Sequence, residues 1–175
     1  MPLKSMIKFS GLCMLMWLLS CSPDNNPGVA SAAEQPIALE VYKSPTCGCC
    51  GMWVDHASAR GFAFSVQHLD NDELTLEKLR RGIGLRYHSC HTAVAEDGSV
   101  FEGHVPAYLI HQFLADKPEN AIGLAVPGMP IGSPGMEVGD RFQPYDVYLL
   151  NADGTAEVYT HVGDFESQYQ TASVE

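Results

Sequence analysis

The chain has 175 residues, enough for one ordinary domain and too few for two. Its formal net charge of −11, from 21 acidic against 10 basic side chains, argues against nucleic acid as a partner and has ordinary solubility as its simplest meaning. The acidic residues show no paired arrangement with a neighbouring base, so nothing supports hydrolytic catalysis.

Lys4 and Lys8 precede an apolar run, Phe9 to Leu19, which has the length of a signal-peptide core and is too short to span a bilayer as a mature helix. The run ends in Leu18-Leu19-Ser20-Cys21, which resembles a bacterial lipobox. Residues 1–20 then form a lipoprotein signal peptide, Cys21 the lipidated first residue, and residues 21–36, rich in Pro, Asn, Ser and Ala, a flexible tether. Cleavage after Ala30-Ser31-Ala32-Ala33 is the alternative and would give a soluble periplasmic protein. Both place the product in the periplasm of a bacterium, with membrane contact only through a lipid anchor.

Ile37 to Lys43 alternates with a period near two and predicts a strand. After the turn Ser44-Pro45-Thr46, Thr46 is the predicted N-cap of a helix carrying Cys50, Trp53, Val54 and Ala57 on its apolar side and closed by Arg60-Gly61. Ala63 to Leu69 predicts a second strand. Asp72 to Arg81 predicts a second helix, acidic early and basic late as the macrodipole favours. Thr92 to Glu96 and Ser99 to Glu102 flank Asp97-Gly98, a hairpin signal. Pro106 opens a third helix at its first position, with Leu109, Ile110, Phe113 and Leu114 as its stripe. Residues 121–144 predict a long Gly/Pro loop. Val147–Leu150 and Thr155–Tyr159 predict a second hairpin around Asp153-Gly154, and residues 166–175 a frayed tail. The fold class is α/β. A β-α-β half followed by a β-β-α half is the thioredoxin-like arrangement, here spanning residues 37–165 with an added C-terminal hairpin and the Gly/Pro loop.

With Cys13 lost in the signal and Cys21 acylated or lost, four cysteines remain for chemistry: Cys47, Cys49, Cys50 and Cys90. Cys47 and Cys50 have the C-x-x-C spacing of a thiol redox site at the start of the first helix, where free N–H groups and the dipole stabilise a thiolate. Cys49 is surplus to a simple dithiol switch, and a third thiol suits a soft metal ion. Aligned on element order, Cys90 falls where thioredoxin-like proteins carry a cis-proline loop facing the dithiol, yet no proline lies between Gly84 and Val105. That loss disfavours general exchange with protein substrates and favours an ion held between the two segments. Adjacent Cys49 and Cys50 are not expected to point at one tetrahedral centre, so the spacing favours a small Cu(I)–thiolate cluster over structural zinc.

The ordered combination SPTCGCCGMWVDH, YHSCHT, EGHVPA and AVPGMPIGSPGME, covering roughly Ile37 to Val162, resembles the metal-binding family linked to bacterial copper resistance, whose exported members include the CopG-type proteins. The resemblance implies a thioredoxin-like fold, a periplasmic role in copper handling, and copper bound by the cysteines. Carried over by motif, the ligands are Cys47, Cys49, Cys50 and Cys90.

Met52, Met129, Met136 and His91 are secondary candidates as soft or orienting ligands; each also has a bland meaning, as core filler, loop anchor or structural histidine. His88 stands beside His91 as a lesser candidate, while His68, His104, His111 and His161 are expected to be structural or on the surface. Three functions compete. The first is a copper-binding envelope protein that uses Cu(I), as one ion or several, and couples copper to cysteine redox with a copper donor, acceptor or electron-transfer partner. The second is a thiol–disulfide oxidoreductase working through Cys47 and Cys50. The third is a module stapled by disulfides with no chemistry. Cys47–Cys50 is the favoured disulfide, with Cys49–Cys90 as a second.

Overall fold

A computed structural model describes residues 35–170. The signal peptide, Cys21 and all but the end of the tether lie outside the described residues, as do residues 171–175. Seven strands form one sheet in the order β2-β1-β3-β4-β5-β6-β7. The elements run β1 (Ile37–Lys43), α1 (Gly48–Ser58), β2 (Phe62–His68), α2 (Asn71–Arg80), β3 (His91–Ala95), β4 (Val100–Glu102), α3 (Ala107–Ala115), β5 (Ala121–Ala125), β6 (Tyr145–Asn151) and β7 (Ala156–Val162). β1 pairs β2 in parallel and β3 antiparallel, and β3 pairs β4 antiparallel. The β-α-β and β-β-α halves stand in the expected order, and the C-terminal hairpin of β6 and β7 extends the same sheet.

Alternation along the strands divides the core between the two faces. Leu39, Val41, Ala93, Ala95 and Phe101 pack with Trp53 and Ala57 of α1 and with Leu109, Ile110 and Phe113 of α3. Val94, Val100, Ala125 and Leu150 form a smaller cluster with Ile83 on the opposite face. Lys43, on the inner side of β1 with Leu39 and Val41, is the charged exception to the pattern.

The helix starts differ from expectation in informative ways. Cys47, not Thr46, caps α1: its Sγ accepts the Cys50 N–H at 3.3 Å. α2 begins at a full capping box, in which Asp70 accepts from the Asp72 and Glu73 amides and Glu73 answers to the Asp70 amide. Pro106 precedes α3 as its cap residue without a capping side chain, and His56 of α1 supplies the partner, Nε2 accepting the Ala107 N–H at 3.3 Å.

Two segments expected to be irregular are built into the fold. The stretch 121–144 contains β5, which lies parallel to β4 and antiparallel to β6. In its remainder Gly135 packs on α1. A Cβ added at Gly135, where φ is +84°, would lie 2.5 Å from the Trp53 amide nitrogen and 2.9 Å from the Cys49 carbonyl oxygen. After Phe165 the chain does not fray at once. Glu166–Tyr169 forms a 3-10 turn, and the buried Gln168 accepts from the Tyr145 hydroxyl at 3.0 Å and donates to the Gly132 carbonyl at 2.7 Å.

Candidate metal centre

Four sulfurs converge at the C-terminal edge of β1. The Sγ atoms of Cys47, Cys49, Cys50 and Cys90 all lie within 4.8 Å of one another. The first three come from the N-terminus of α1, while Cys90 comes from the residue before β3, brought across by the pairing of Lys43 with His91. Cys47 and Cys50 are joined as a disulfide; Cys49 and Cys90 are free. The Cys49 Sγ is 3.5 Å from that of Cys47, so the third thiol borders the disulfide rather than standing apart. Adjacent at the first turn of α1, Cys49 and Cys50 both place their sulfurs within this cluster.

Cys90 also belongs to a second group, with His91 and His104. Its Sγ is 3.3 Å from His91 Nδ1 and 3.1 Å from His104 Nε2. The His104 Nδ1–H donates to the Pro134 carbonyl at 2.7 Å, which fixes the tautomer and leaves the Nε2 lone pair facing the sulfur. Burial, the first cause for both rings, holds His91 far below and His104 below the ordinary histidine range, and both are neutral. Burial and then the neighbouring Cys49 push the Cys90 thiol up to about 12. Without a metal Cys90 is therefore a protonated thiol that donates to a neutral imidazole. A bound cation would supply the charge that ionises it.

His104 was expected to be structural, yet it is fully buried and aimed at Cys90. The sequence signal available was its place in EGHVPA, directly before the start of α3. Its orientation depends on Pro134, 30 residues later. His91, a secondary candidate, is fully buried against the Trp53 ring at 4.5 Å, and its Nε2 has no partner among the described residues. Met52 and Met129 are about half exposed, at 51 % and 53 %, and Met136 is half-buried. Met129 follows Gly128, whose carbonyl takes the Ser89 hydroxyl, and Met136 follows Gly135, packed against Cys49. His88 bonds the Ile83 carbonyl at 3.0 Å through Nε2.

Beneath Cys90 lies a buried ionic network. Lys78 of α2 pairs with Glu102 of β4, both almost wholly buried. Glu102 accepts the Ser89 N–H and the Thr92 hydroxyl, each at 2.5 Å, and Lys78 Nζ donates to the Ser89 carbonyl at 3.1 Å. Both backbone polar groups of the residue before Cys90 are thereby clamped. A cleft of about 390 Å³ on the α2 side is lined by Ser44, Thr46, Leu74 and His88 together with Cys47 and Cys90.

Thiolates with two imidazoles are a soft-to-borderline donor set. It suits Cu(I), and the added nitrogens also suit Cu(II). A family model described as a protein of unknown function, DUF411, matches residues 87–136, the stretch that carries Cys90, His91, His104 and the Gly/Pro loop. No curated protein matches the chain. A solved structure of copper resistance protein CopG, form 2, is 40 % identical with a TM-score of 0.67, covering 74 % of this chain and 100 % of that one. The form 1 structure of the same protein is 39 % identical with a TM-score of 0.67, covering 73 % of this chain and 98 % of that one.

Proposed function

The chain belongs to the family of the copper resistance protein CopG, and on that premise we propose that it binds Cu(I) in the bacterial cell envelope through Cys47, Cys49, Cys50 and Cys90. The observation that carries this is the convergence of four sulfurs within 4.8 Å from two chain segments about forty residues apart. Staples alone need pairs, not a foursome, and Cys47–Cys50 closes too short a loop to add much stability.

With one disulfide and two free thiols, the centre is half oxidised. Two electrons from an external electron carrier, with two protons from solvent, open the Cys47–Cys50 disulfide and give four thiols. Cu(I) then replaces the thiol protons, which pass to solvent. Run the other way, Cys47 and Cys50 give up two protons to solvent and two electrons as their disulfide re-forms, and two Cu(II) ions taking those electrons become Cu(I). The same four sulfurs and two imidazoles thereby couple copper to cysteine redox. Met52, Met129 and Met136 serve as outer thioether ligands on the segments that border the thiols. The protein is primarily a metal-binding protein, exchanging copper with a periplasmic donor, acceptor or electron carrier and tethered by lipid at Cys21.

The test is an anaerobic Cu(I) titration of the reduced protein against a competing chelator, counting free thiols at each step. More than one Cu(I) per chain, with all four thiols protected together, is the expected result. A preferred state of one zinc per chain would overturn the cluster.

One observation favours a second reading, thiol–disulfide exchange. Cys47, the more exposed member of the disulfide, opens on the cleft while Cys50 is buried. Replacing Cys49 or Cys90 with Ser separates the two. Copper binding is expected to be lost while Cys47–Cys50 still cycles; unchanged copper affinity in both variants would remove the ligand assignment.

A further inference from the structure

Lys43 is 93 % buried, being 7 % exposed, and no carboxylate lies within ion-pair reach of it among the described residues. Its Nζ finds one acceptor there, the Ser44 carbonyl at 2.9 Å, for three ammonium donors. A buried cation without a counter-ion is expensive, and fold stability gives no reason to keep one. Its position is specific. The same Ser44 carbonyl accepts the Cys47 N–H at 3.2 Å, so the ammonium is fastened to the turn that delivers the first thiol. Across the sheet Lys43 pairs with His91, directly after Cys90, so it borders both thiol segments. The titratable side chains facing it are that neutral His91 and, on β2, the exposed His68.

Lys78 offers a contrast. It approaches the Cys90 segment from the opposite face of the sheet, and its charge is already matched by Glu102. Lys43 is unmatched. Charge accumulates at this centre in two ways. Reduction of the disulfide adds two sulfurs that can ionise, and whenever bound Cu(I) ions are fewer than the thiolates holding them the complex is anionic. In a chain of net charge −11 that added negative charge is unfavourable unless something local offsets it.

We propose that Lys43 is the fixed counter-charge of the thiolate centre, held unpaired in the metal-free protein so that its ammonium stabilises the negative sulfur cluster formed on reduction and metal loading. The proposal rests on the copper-binding function above and makes Lys43 a positioning residue that sets the electrostatics of the site without touching the metal.

The discriminating signature is a split between stability and affinity. Lys43→Met keeps the stem and removes the charge. The metal-free disulfide form of this variant should melt at the same temperature as the parent or higher, while Cu(I) affinity measured against a chelator falls about tenfold or more. Lys43→Arg, which keeps the charge, should retain affinity within about threefold. A residue that only packs would lower melting temperature and affinity together, and that result overturns the proposal. So does a folded Lys43→Met variant with parental Cu(I) affinity. If the parent itself takes up no Cu(I), the copper function fails, and the inference is decided by redox equilibrium instead. With dithiothreitol as the two-electron reductant, Lys43→Met should shift the Cys47–Cys50 equilibrium about tenfold toward the disulfide. An unchanged equilibrium would sink the counter-charge.

Discussion

At the scale of single residues, the Lys78–Glu102 pair is the costliest element to disturb. Each partner is almost fully buried, and Glu102 accepts from three directions. Removing one partner strands the other's charge, which in buried pairs costs about 3–5 kcal/mol. Lys78→Met should therefore lower unfolding free energy by about that amount in urea, whereas Lys78→Met with Glu102→Leu should recover much of it. The double variant releases Ser89, so it should show weakened metal binding despite recovered stability. Equal losses in single and double variants would mean the pair acts by packing alone. Lys43 was legible as the last residue of an alternating strand, on the same side as Leu39 and Val41. What the sequence could not convey is that, among the described residues, no acidic side chain pairs with it there. Ion pairing is a tertiary fact, and Glu102 could as well have gone to either lysine.

At the scale of elements, the contact between His56 and the start of α3 makes helix packing depend on a proton. The Nε2 lone pair accepts the Ala107 N–H, so the ring must be neutral to serve. Burial first, and then the Arg60 charge, push His56 down to about 4. The unfolded chain has an ordinary histidine near 6.5, so between those values the unfolded state binds the extra proton. This contribution is complete above about pH 6.5, shrinks by up to about 1.4 kcal/mol per unit as pH falls toward 4, and then levels off. His91 and His104, also held neutral by burial, act in the same direction. Thermal melting from pH 7 to 4 should thus fall for the parent and fall less for His56→Gln; parallel profiles would remove His56 from the account. The strands and helices themselves were largely legible, because periodicity and capping are local. β5 was not. Ala121–Ala125 is short, made of small and aliphatic residues without alternation, and set in a Gly/Pro-rich stretch; only its place between β4 and β6 makes it a strand. The same holds for Glu166–Tyr169, fixed by Gln168 reaching Gly132 and Tyr145.

At the scale of the whole molecule, the thiol centre was legible as chemistry and only partly as geometry. Four cysteines in two segments, one at a strand–helix junction and one before the hairpin, followed from element order. The two imidazoles on Cys90 did not, since His104 is aimed by a carbonyl from the Gly/Pro loop. That loop is the least local part of the site. It reaches Ser89 through Gly128, His104 through Pro134 and α1 through Gly135.

The pairing of β1 with β3 has one more consequence. Cys90 meets the other three sulfurs only once Lys43 lies opposite His91, so the complete donor set exists only in a finished fold. A newly made, still extended chain offers a three-thiol fragment, and the fourth sulfur arrives with the sheet. Cargo bound by all four would in turn act as a clasp across that sheet, opposing its opening by the free energy of its own release, about 2.7 kcal/mol at a hundredfold excess over the dissociation constant. Such a protein would be sturdiest when full, and would let go of its metal as it came apart.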